Sequence, residues 1–411
     1  MILWITEKLG TGPASDPSIT DSMVVLDVRD LVDKFGNSAA ATLQLIEQGI
    51  NQLKLGKKVV VCCDYGLSRS NAIAAGILSR YKGISLDQAI KEIIHSIGAQ
   101  DIKLEPLRSV RAALQDGIES LSENELRVLL TGGTGFIGQT LLPVLSKRHY
   151  TFAPSRNEMD IAASAMALDL IVKEKRINCI IHLANPRVYT SNPAIGETLI
   201  LLRNVLDVCR ENSIRLIYPS SWEVYSAYRT PELIANESLP LLPKGPYGET
   251  KMLCENLITH HCRLYGLKCG LLRSSPLYGK ASDRPKFIYN FINKARNNEH
   301  IKTHRYLNGD PKLDLLHVDD FVSAVVAAVE TNFMGVLNIG AGLAISTREV
   351  AEWIVNRTNS KSTVDFQLIE DYASNITMDI TSAHKTLAWQ PTVSWKAGIG
   401  QLLENAANRL V

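Results

Sequence analysis

The chain has 411 residues, 45% of them hydrophobic and 21% charged, and a formal net charge of +2. That length holds two or three domains with sizeable cores, while near-balanced charge excludes the broad basic footprint of a nucleic-acid binder. With no apolar run of about 18 residues there is no candidate for a membrane span, and the opening Met1-Ile-Leu-Trp-Ile-Thr-Glu-Lys8 is not basic-then-apolar like a secretory signal.

Seven cysteines (Cys62, Cys63, Cys179, Cys209, Cys254, Cys262, Cys269) are an odd count set mostly in apolar runs. They suit free thiols in a reducing, cytoplasmic setting better than a disulfide framework. No cluster with metal-ligand spacing stands out.

In chain order, Val24 to Leu26 is a short β-rich run, and Ala39 to Leu53 carries helical apolar spacing. Lys57 to Cys62 reads as a buried strand, and a helix is expected from about Asn71 to Tyr81. A second helix is expected over Ser85 to Gly98, with Ser85 as its N-cap. Between strand and helix lies Cys63-Asp-Tyr-Gly-Leu-Ser-Arg69-Ser70. Such a loop can curl its amides around a phosphoryl group at a helix N-terminus. The same field lowers a thiol pKa, which makes Cys63 a candidate nucleophile. Arg69 can clamp two phosphate oxygens bidentately, and Ser70 can hydrogen-bond the sulfur as it leaves.

These residues resemble the cysteine-dependent protein tyrosine phosphatases, in particular the compact dual-specificity group, whose loop reads His-Cys, five residues, Arg, Ser or Thr. The resemblance runs from about Ile5 to Leu114. It implies a phosphocysteine intermediate on Cys63, phosphate binding by Arg69, and an upstream general acid. Asp30 fits that acid best, with Asp27 and Asp33 as rivals. The substrate would be a phosphoprotein or a small phosphate ester. Cys62 stands where the family has His, and the segment before Asp30 is short. A polar, acidic stretch from Asp116 to Glu125 reads as a linker, with the boundary near residue 122.

Arg127-Val-Leu-Leu-Thr131 then reads as a buried strand, Gly132, Gly133, Gly135 and Gly138 follow at once, and Gln139 to Arg148 reads as a helix. Strand, glycine turn, helix is the context of a dinucleotide-binding loop. Glycines permit the tight turn, the approach of amides to a pyrophosphate, and close helix packing. Tyr150 to Ala153 is the expected second strand. Where an NAD-specific domain would place an acid for the ribose hydroxyl, this chain has Ser155-Arg156. Arg156 can pair with a 2′-phosphate, which favours NADP or tolerance of both cofactors, and Asp160 can cap the adenine edge.

A helix over Ala165 to Lys175, a strand over Asn178 to Ala184 ending at Asn185-Pro186-Arg187, a helix over Thr198 to Asn212 and a strand over Arg215 to Ser221 continue the alternation. The pattern predicts a doubly wound parallel α/β sheet with ligands at the carboxyl ends of its strands. Pro246-Tyr247-Gly-Glu-Thr-Lys251 sets a phenol and an ammonium four apart on one helical face. The cation is expected to lower the phenol pKa and suit it to proton exchange. Ser221, 26 residues earlier at a strand end, can bond the same substrate oxygen.

Here the chain resembles the extended short-chain dehydrogenase/reductase family of nucleotide-sugar epimerases, dehydratases and reductases. Thr131-Gly-Gly-Thr-Gly-Phe136-Ile137-Gly138 and Tyr247-Gly-Glu-Thr-Lys251 match its central motifs. Further echoes are His182-Leu183-Ala184, Leu272-Arg273 to Tyr278-Gly279, His317-Val-Asp-Asp320, Asn338-Ile-Gly340 and Leu387-Ala-Trp-Gln-Pro391. The resemblance covers about Leu126 to Val411. It implies Ser221, Tyr247 and Lys251 as the catalytic set. It also implies cofactor contacts from the glycine loop, Leu183, Ala184, Tyr247 and Lys251, a smaller C-terminal substrate lobe, and a homodimer through helices of this part. Trp222-Glu223 stands where dehydratases carry Asp-Glu, and Leu313 stands where many members place a diphosphate-binding Arg.

The expected architecture is therefore a compact phosphatase-like α/β domain over residues 1–121, followed by a Rossmann sheet with its lobe over residues 126–411. The expected function is an NAD(P)-dependent epimerase or reductase of a nucleotide-linked sugar, fused to a cysteine-dependent phosphatase. The alternative is an NADP(H)-sensing regulator with a passive phosphate-binding domain.

Overall fold

The structure is a computed structural model and describes residues 1–33, 36–98, 102–115, 125–186, 191–280, 282 and 285–407. The linker expected over Asp116 to Glu125, except Glu125 itself, and Arg187 lie outside the described residues.

The chain forms two compact units, one of Met1–Glu125 with Met159–Arg176 and Asn204–Asn212, the other of Leu126–Glu158, Ile177–Arg203 and Ser213–Val411. In the first, β1 (Leu3–Trp4), β2 (Leu9–Pro13), β3 (Met23–Asp27) and β4 (Lys58–Cys63) form one sheet in the order β1-β2-β4-β3. β4 runs parallel to both β2 and β3. Its Val59, Val60 and Val61 are fully buried, as a near-continuous branched run in a central parallel strand should be. The helices α1 (Ala39–Lys54), α2 (Arg69–Lys82), α3 (Leu86–Ile97) and α4 (Leu104–Leu114) follow the expected spacing. Ser85 does cap α3, accepting from the Gln88 amide. α2 is buried along its run from Ser70 to Ser79, which makes it the central helix.

Residues 159–176 and 204–212 share charged pairs with the rest of this unit. Asp169 is buried, accepts from Asn212 Nδ2 at 2.7 Å, pairs with Lys173 and lies 3.7 Å from Arg111. Arg210, half-buried, donates to Glu105 at 2.6 Å. Removing one partner of such a buried pair leaves an uncompensated charge, which costs about 3–5 kcal/mol.

In the second unit, β5 (Arg127–Thr131), β6 (Tyr150–Phe152), β7 (Cys179–His182) and β8 (Arg215–Ser221) join strands Cys269–Ser274 and Gly335–Ile339 in a six-stranded parallel sheet. The order reverses at β5, which has β6 on one side and β7 on the other; ligands of doubly wound sheets bind at such a switch point. The helices along this part of the chain are α5 (Phe136–Ser146), α6 (Ala165–Glu174), α7 (Asn192–Glu211) and α8 (Pro246–Tyr265). α5 begins three residues earlier than the apolar spacing suggested, because Gly135 serves as its N-cap. Val128, Leu130, Ile181, Ile217 and Leu272 sit in the core with Phe321 and Val325.

The same unit also holds a four-stranded sheet of Leu233–Ala235, Ile376–Met378, Lys312–Asp314 and Ala344–Ser346, and the parallel pair Ile301–Tyr306 and Val364–Ile369. A further apolar cluster gathers around Ile288, Phe291, Val350 and Ile399.

Candidate active site

The glycine loop joins the end of β5 to α5. Gly132 has φ +70° and a Cβ there would lie 2.7 Å from the Ala184 amide nitrogen; at Gly138 it would lie 2.4 Å from Gly132 O. Neither position tolerates a side chain without a backbone shift. No side chain caps α5 at Gly135, so its leading N–H groups remain for a ligand. That open, Cβ-free cradle fits the pyrophosphate of a dinucleotide. Leu183 and Ala184 belong to the same corner: their amides reach Thr131 O at 3.2 Å and Thr131 Oγ1 at 3.2 Å. Phe136 and Ile137 pack their side chains against the core. Arg156 is 69% exposed and pairs with Glu197 at 3.2 Å. Asp160 accepts the Ala162 amide at 3.0 Å, closing its own turn.

Ser221 ends β8, and Tyr247 and Lys251 lie on the first turns of α8. The Ser221 side chain faces the Tyr247 phenol and acts to lower its pKa. Lys251 is buried and its Nζ donates to Pro219 O at 2.9 Å and to the Tyr218 hydroxyl at 3.2 Å, while lying 5.8 Å from the Tyr247 ring centre. The expectation of a lowered phenol pKa is therefore corrected. Burial pushes the Tyr247 phenol up, and the Glu223 carboxylate adds to the effect. Burial also lowers the Lys251 ammonium. The lysine faces the strand, not the phenol, so desolvation wins.

Three neighbours, Glu223, His182 and Tyr218, were given no role in the site from the sequence. Glu223 was noted only as a departure; burial raises its carboxyl to about 7. His182 lies 2.8 Å from Thr131 Oγ1, its ring centre is 6.1 Å from that of Tyr218, and burial lowers it to about 3. Through Thr131, His182, Tyr218 and Lys251 the glycine-loop strand is linked to α8. The available signal was a Tyr and a His inside otherwise aliphatic strands.

The other candidate loop follows β4. Cys63 is buried; its Sγ accepts the Gly66 amide at 3.2 Å and lies 3.4 Å from Ser70 Oγ. Burial pushes the thiol up, but the Ser70 hydroxyl and the amides of Ser70, Tyr65 and Leu67 outweigh it and hold it below its ordinary value. Cys62, in the family's His position, is pushed up to about 11 by burial. Arg69 donates Nη1 to Arg29 O at 2.9 Å and Leu31 O at 2.8 Å, pairs with Asp64, and lies 3.6 Å from Asp33 through Nε. It thus ties the segment bearing the candidate acids to the loop. Asp33 is the candidate acid that meets Arg69, and it also pairs with Lys103 at 3.1 Å. Asp27 pairs with Arg29. Asp30 is exposed, and among the described residues its carboxylate has no hydrogen bond or ion pair.

The switch-point sheet, the glycine cradle and the Ser-Tyr-Lys set define a Rossmann-fold, nucleotide-dependent class of protein. Residues 128–340 match the NAD dependent epimerase/dehydratase family, and the chain belongs to it. The dTDP-4-dehydro-6-deoxyglucose reductase of Escherichia coli is 28% identical over 312 residues, covering 68% of this chain and 96% of that one. The UDP-glucuronic acid decarboxylase 3 of Arabidopsis thaliana is 24% identical, covering 69% and 90%. The structure of UDP-N-acetylglucosamine 4-epimerase from Bacillus cereus aligns with TM-score 0.58 at 25% identity, covering 69% of this chain and 97% of that one. The Thermotoga maritima UDP-glucose 4-epimerase with UDP-glucose aligns with TM-score 0.61 at 22% identity, covering 70% and 100%.

Proposed function

We propose that residues 126–411 form an NAD(P)-dependent epimerase or reductase of a nucleotide-linked sugar. The observation that carries the reading is the meeting of Ser221, Tyr247 and Glu223 at a strand end whose neighbours reach the glycine cradle through His182 and Thr131. Gly132, Gly135 and Gly138 would admit the pyrophosphate, and Lys251 would orient the cofactor ribose. When bound, the nicotinamide supplies or accepts a hydride. Tyr247, neutral at rest, holds a proton at its phenol oxygen, next to the Ser221 hydroxyl. Ser221 polarises the substrate oxygen, and Tyr247 gives or takes its proton. Glu223, raised to about 7, is a second group able to move a proton near neutral pH. The relatives named above act on sugar nucleotides, which supports that substrate class.

The test is a titration with NADH and NADPH followed by nicotinamide fluorescence, then turnover of UDP-sugars. Saturable binding of either cofactor is expected. Tyr247→Phe should bind like the wild type yet lose about a hundredfold or more in turnover. Absence of binding by both cofactors would sink the assignment.

A second reading concerns residues 1–121: a phosphatase-like domain acting through nucleophilic Cys63 on a phosphoprotein or small phosphate ester. It is favoured by the amides and the Ser70 hydroxyl converging on the sulfur. Steady p-nitrophenyl phosphate hydrolysis, lost in Cys63→Ser, is the expected result. No hydrolysis in the wild type would leave the domain a passive phosphate binder.

A further inference from the structure

One turn beyond Lys251 on α8, Glu255 is 3% exposed and faces Arg273, which is 5% exposed. Arg273 donates Nε to both carboxylate oxygens at 3.1 Å and Nη2 to Oε2 at 2.7 Å. This forked geometry is the strong form of the pair. The carboxylate also accepts from Ser220 Oγ, the residue beside Ser221. On its other side, Arg273 donates Nη1 to the Tyr225 hydroxyl and to Glu237 O at 3.2 Å. Tyr225 belongs to the short 3₁₀ turn Trp222–Tyr225, which starts at Ser221 and contains Glu223. Its hydroxyl also reaches Asn338 Oδ1 at 3.2 Å, and the Asn338 amide reaches Glu237 Oε1 at 2.9 Å.

The chain segments that carry Ser221 and Tyr247 are therefore tied to one buried pair. α8 is held through Glu255, the end of β8 through Ser220, and the turn after Ser221 through Tyr225. A buried ion pair is seldom kept for stability, since an apolar pair of similar volume often does as well. Its use here is directional: two planar forks fix three backbone segments in register.

We infer that Glu255 and Arg273 are positioning residues, which hold the Ser221 hydroxyl on the Tyr247 phenol through Ser220 and Tyr225. The inference rests on the oxidoreductase reading for its kinetic consequence but not for its geometric one. Glu255→Gln keeps the size and an acceptor for Ser220 but removes the charge. Arg273→Lys keeps the charge but removes the fork. Ser220→Ala and Tyr225→Phe leave the pair intact and cut one link each.

The experiment takes the full chain in all five forms. NADH affinity is read by fluorescence, kcat and KM with UDP-glucose and NAD as probes, and the Ser221 Oγ to Tyr247 Oη distance from crystals. A misplacement of about 1 Å at reacting groups costs about a hundredfold in rate. Glu255→Gln and Arg273→Lys should lose kcat on that order, with NADH affinity and KM within about threefold of wild type. The single-link variants should lose about five- to tenfold in kcat, and the Ser221–Tyr247 distance should lengthen in the crystals.

An unchanged Ser221–Tyr247 distance in Glu255→Gln and Arg273→Lys overturns the inference. So does a kcat loss matched by an equal loss of NADH affinity, which is what a merely structural role predicts. If the pair variants fail to fold, unchanged geometry and kcat in both single-link variants overturns it. If the wild type neither binds NADH nor turns over UDP-glucose, the oxidoreductase reading fails, and the crystal distances alone decide the positioning role.

Discussion

β4 and β5 end in the same way and do opposite things. Each is a buried parallel strand that breaks into a tight loop and then a helix N-terminus. Each ends in a small side chain with a polar tip, Cys63 in one and Thr131 in the other. Cys63 turns its sulfur into the loop, and the amides close on it. Thr131 turns its hydroxyl onto His182, at the end of the neighbouring strand, and the Ala184 amide just beyond it, and the leading amides of α5 are left for an external acceptor. The geometry of strand, loop and helix supplies amide donors in both. The last strand residue decides whether the chain's own anion or an external one receives them. The electrostatics diverge to match. The first site favours charge, lowering the Cys63 thiol; the second suppresses it, raising Tyr247 and Glu223 and lowering His182 and Lys251.

The sharpest way to break the contrast is to fill the second loop. Gly138→Ala sets a methyl 2.4 Å from Gly132 O. The helix must then move off the strand, and amides displaced by that move no longer converge on a pyrophosphate. NADH affinity should fall by about thirtyfold or more, with p-nitrophenyl phosphate hydrolysis unchanged. Retained affinity would mean that the cradle is not the cofactor loop.

The first loop is tested by its thiolate. Ser70→Ala removes the hydroxyl 3.4 Å from Cys63 Sγ and leaves the amides in place. Alkylation of Cys63 by iodoacetamide at pH 7 should slow by about tenfold as the thiol pKa rises. An unchanged rate would assign the thiolate to the amides alone.

Most of both loops was legible in the sequence because glycine and helix-start signals are local. Gly132 and Gly138 announce a turn that only they can make, and Ser85 announces α3. The Tyr247–Lys251 spacing placed both residues on α8 correctly. What it could not give was the direction of the lysine, which depends on Tyr218 and Pro219 from another strand. For the same reason the phenol pKa was read with the wrong sign: a neighbouring charge is visible in a sequence, and burial is not. The roles of Arg69 were also only half legible. Its spacing from Cys63 suggested a phosphate clamp, but its bonds to Arg29 O and Leu31 O come from a loop 38 and 40 residues away.

Charge suppression in the second site is open to a stability measurement. Glu223 has an ordinary carboxyl value of 4.5 and is raised to about 7 by burial. Between those values the folded chain keeps a proton that the unfolded chain releases, so stability falls as pH rises through the window. The ceiling is about 3 kcal/mol, since each tenfold change in proton affinity is worth about 1.4 kcal/mol. Asp314, raised to about 6 by burial, adds a loss of the same sign. His182, lowered to about 3, works the other way, because its unfolded form takes up the proton first. Both stay in place in Glu223→Gln and cancel in the difference. Urea unfolding at pH 5 and pH 8 should therefore show the variant gaining stability relative to wild type as pH rises. The gain should be about 1–3 kcal/mol. Equal pH dependence in the two proteins would place Glu223 in contact with solvent, and the second site would then suppress charge only at Tyr247, His182 and Lys251.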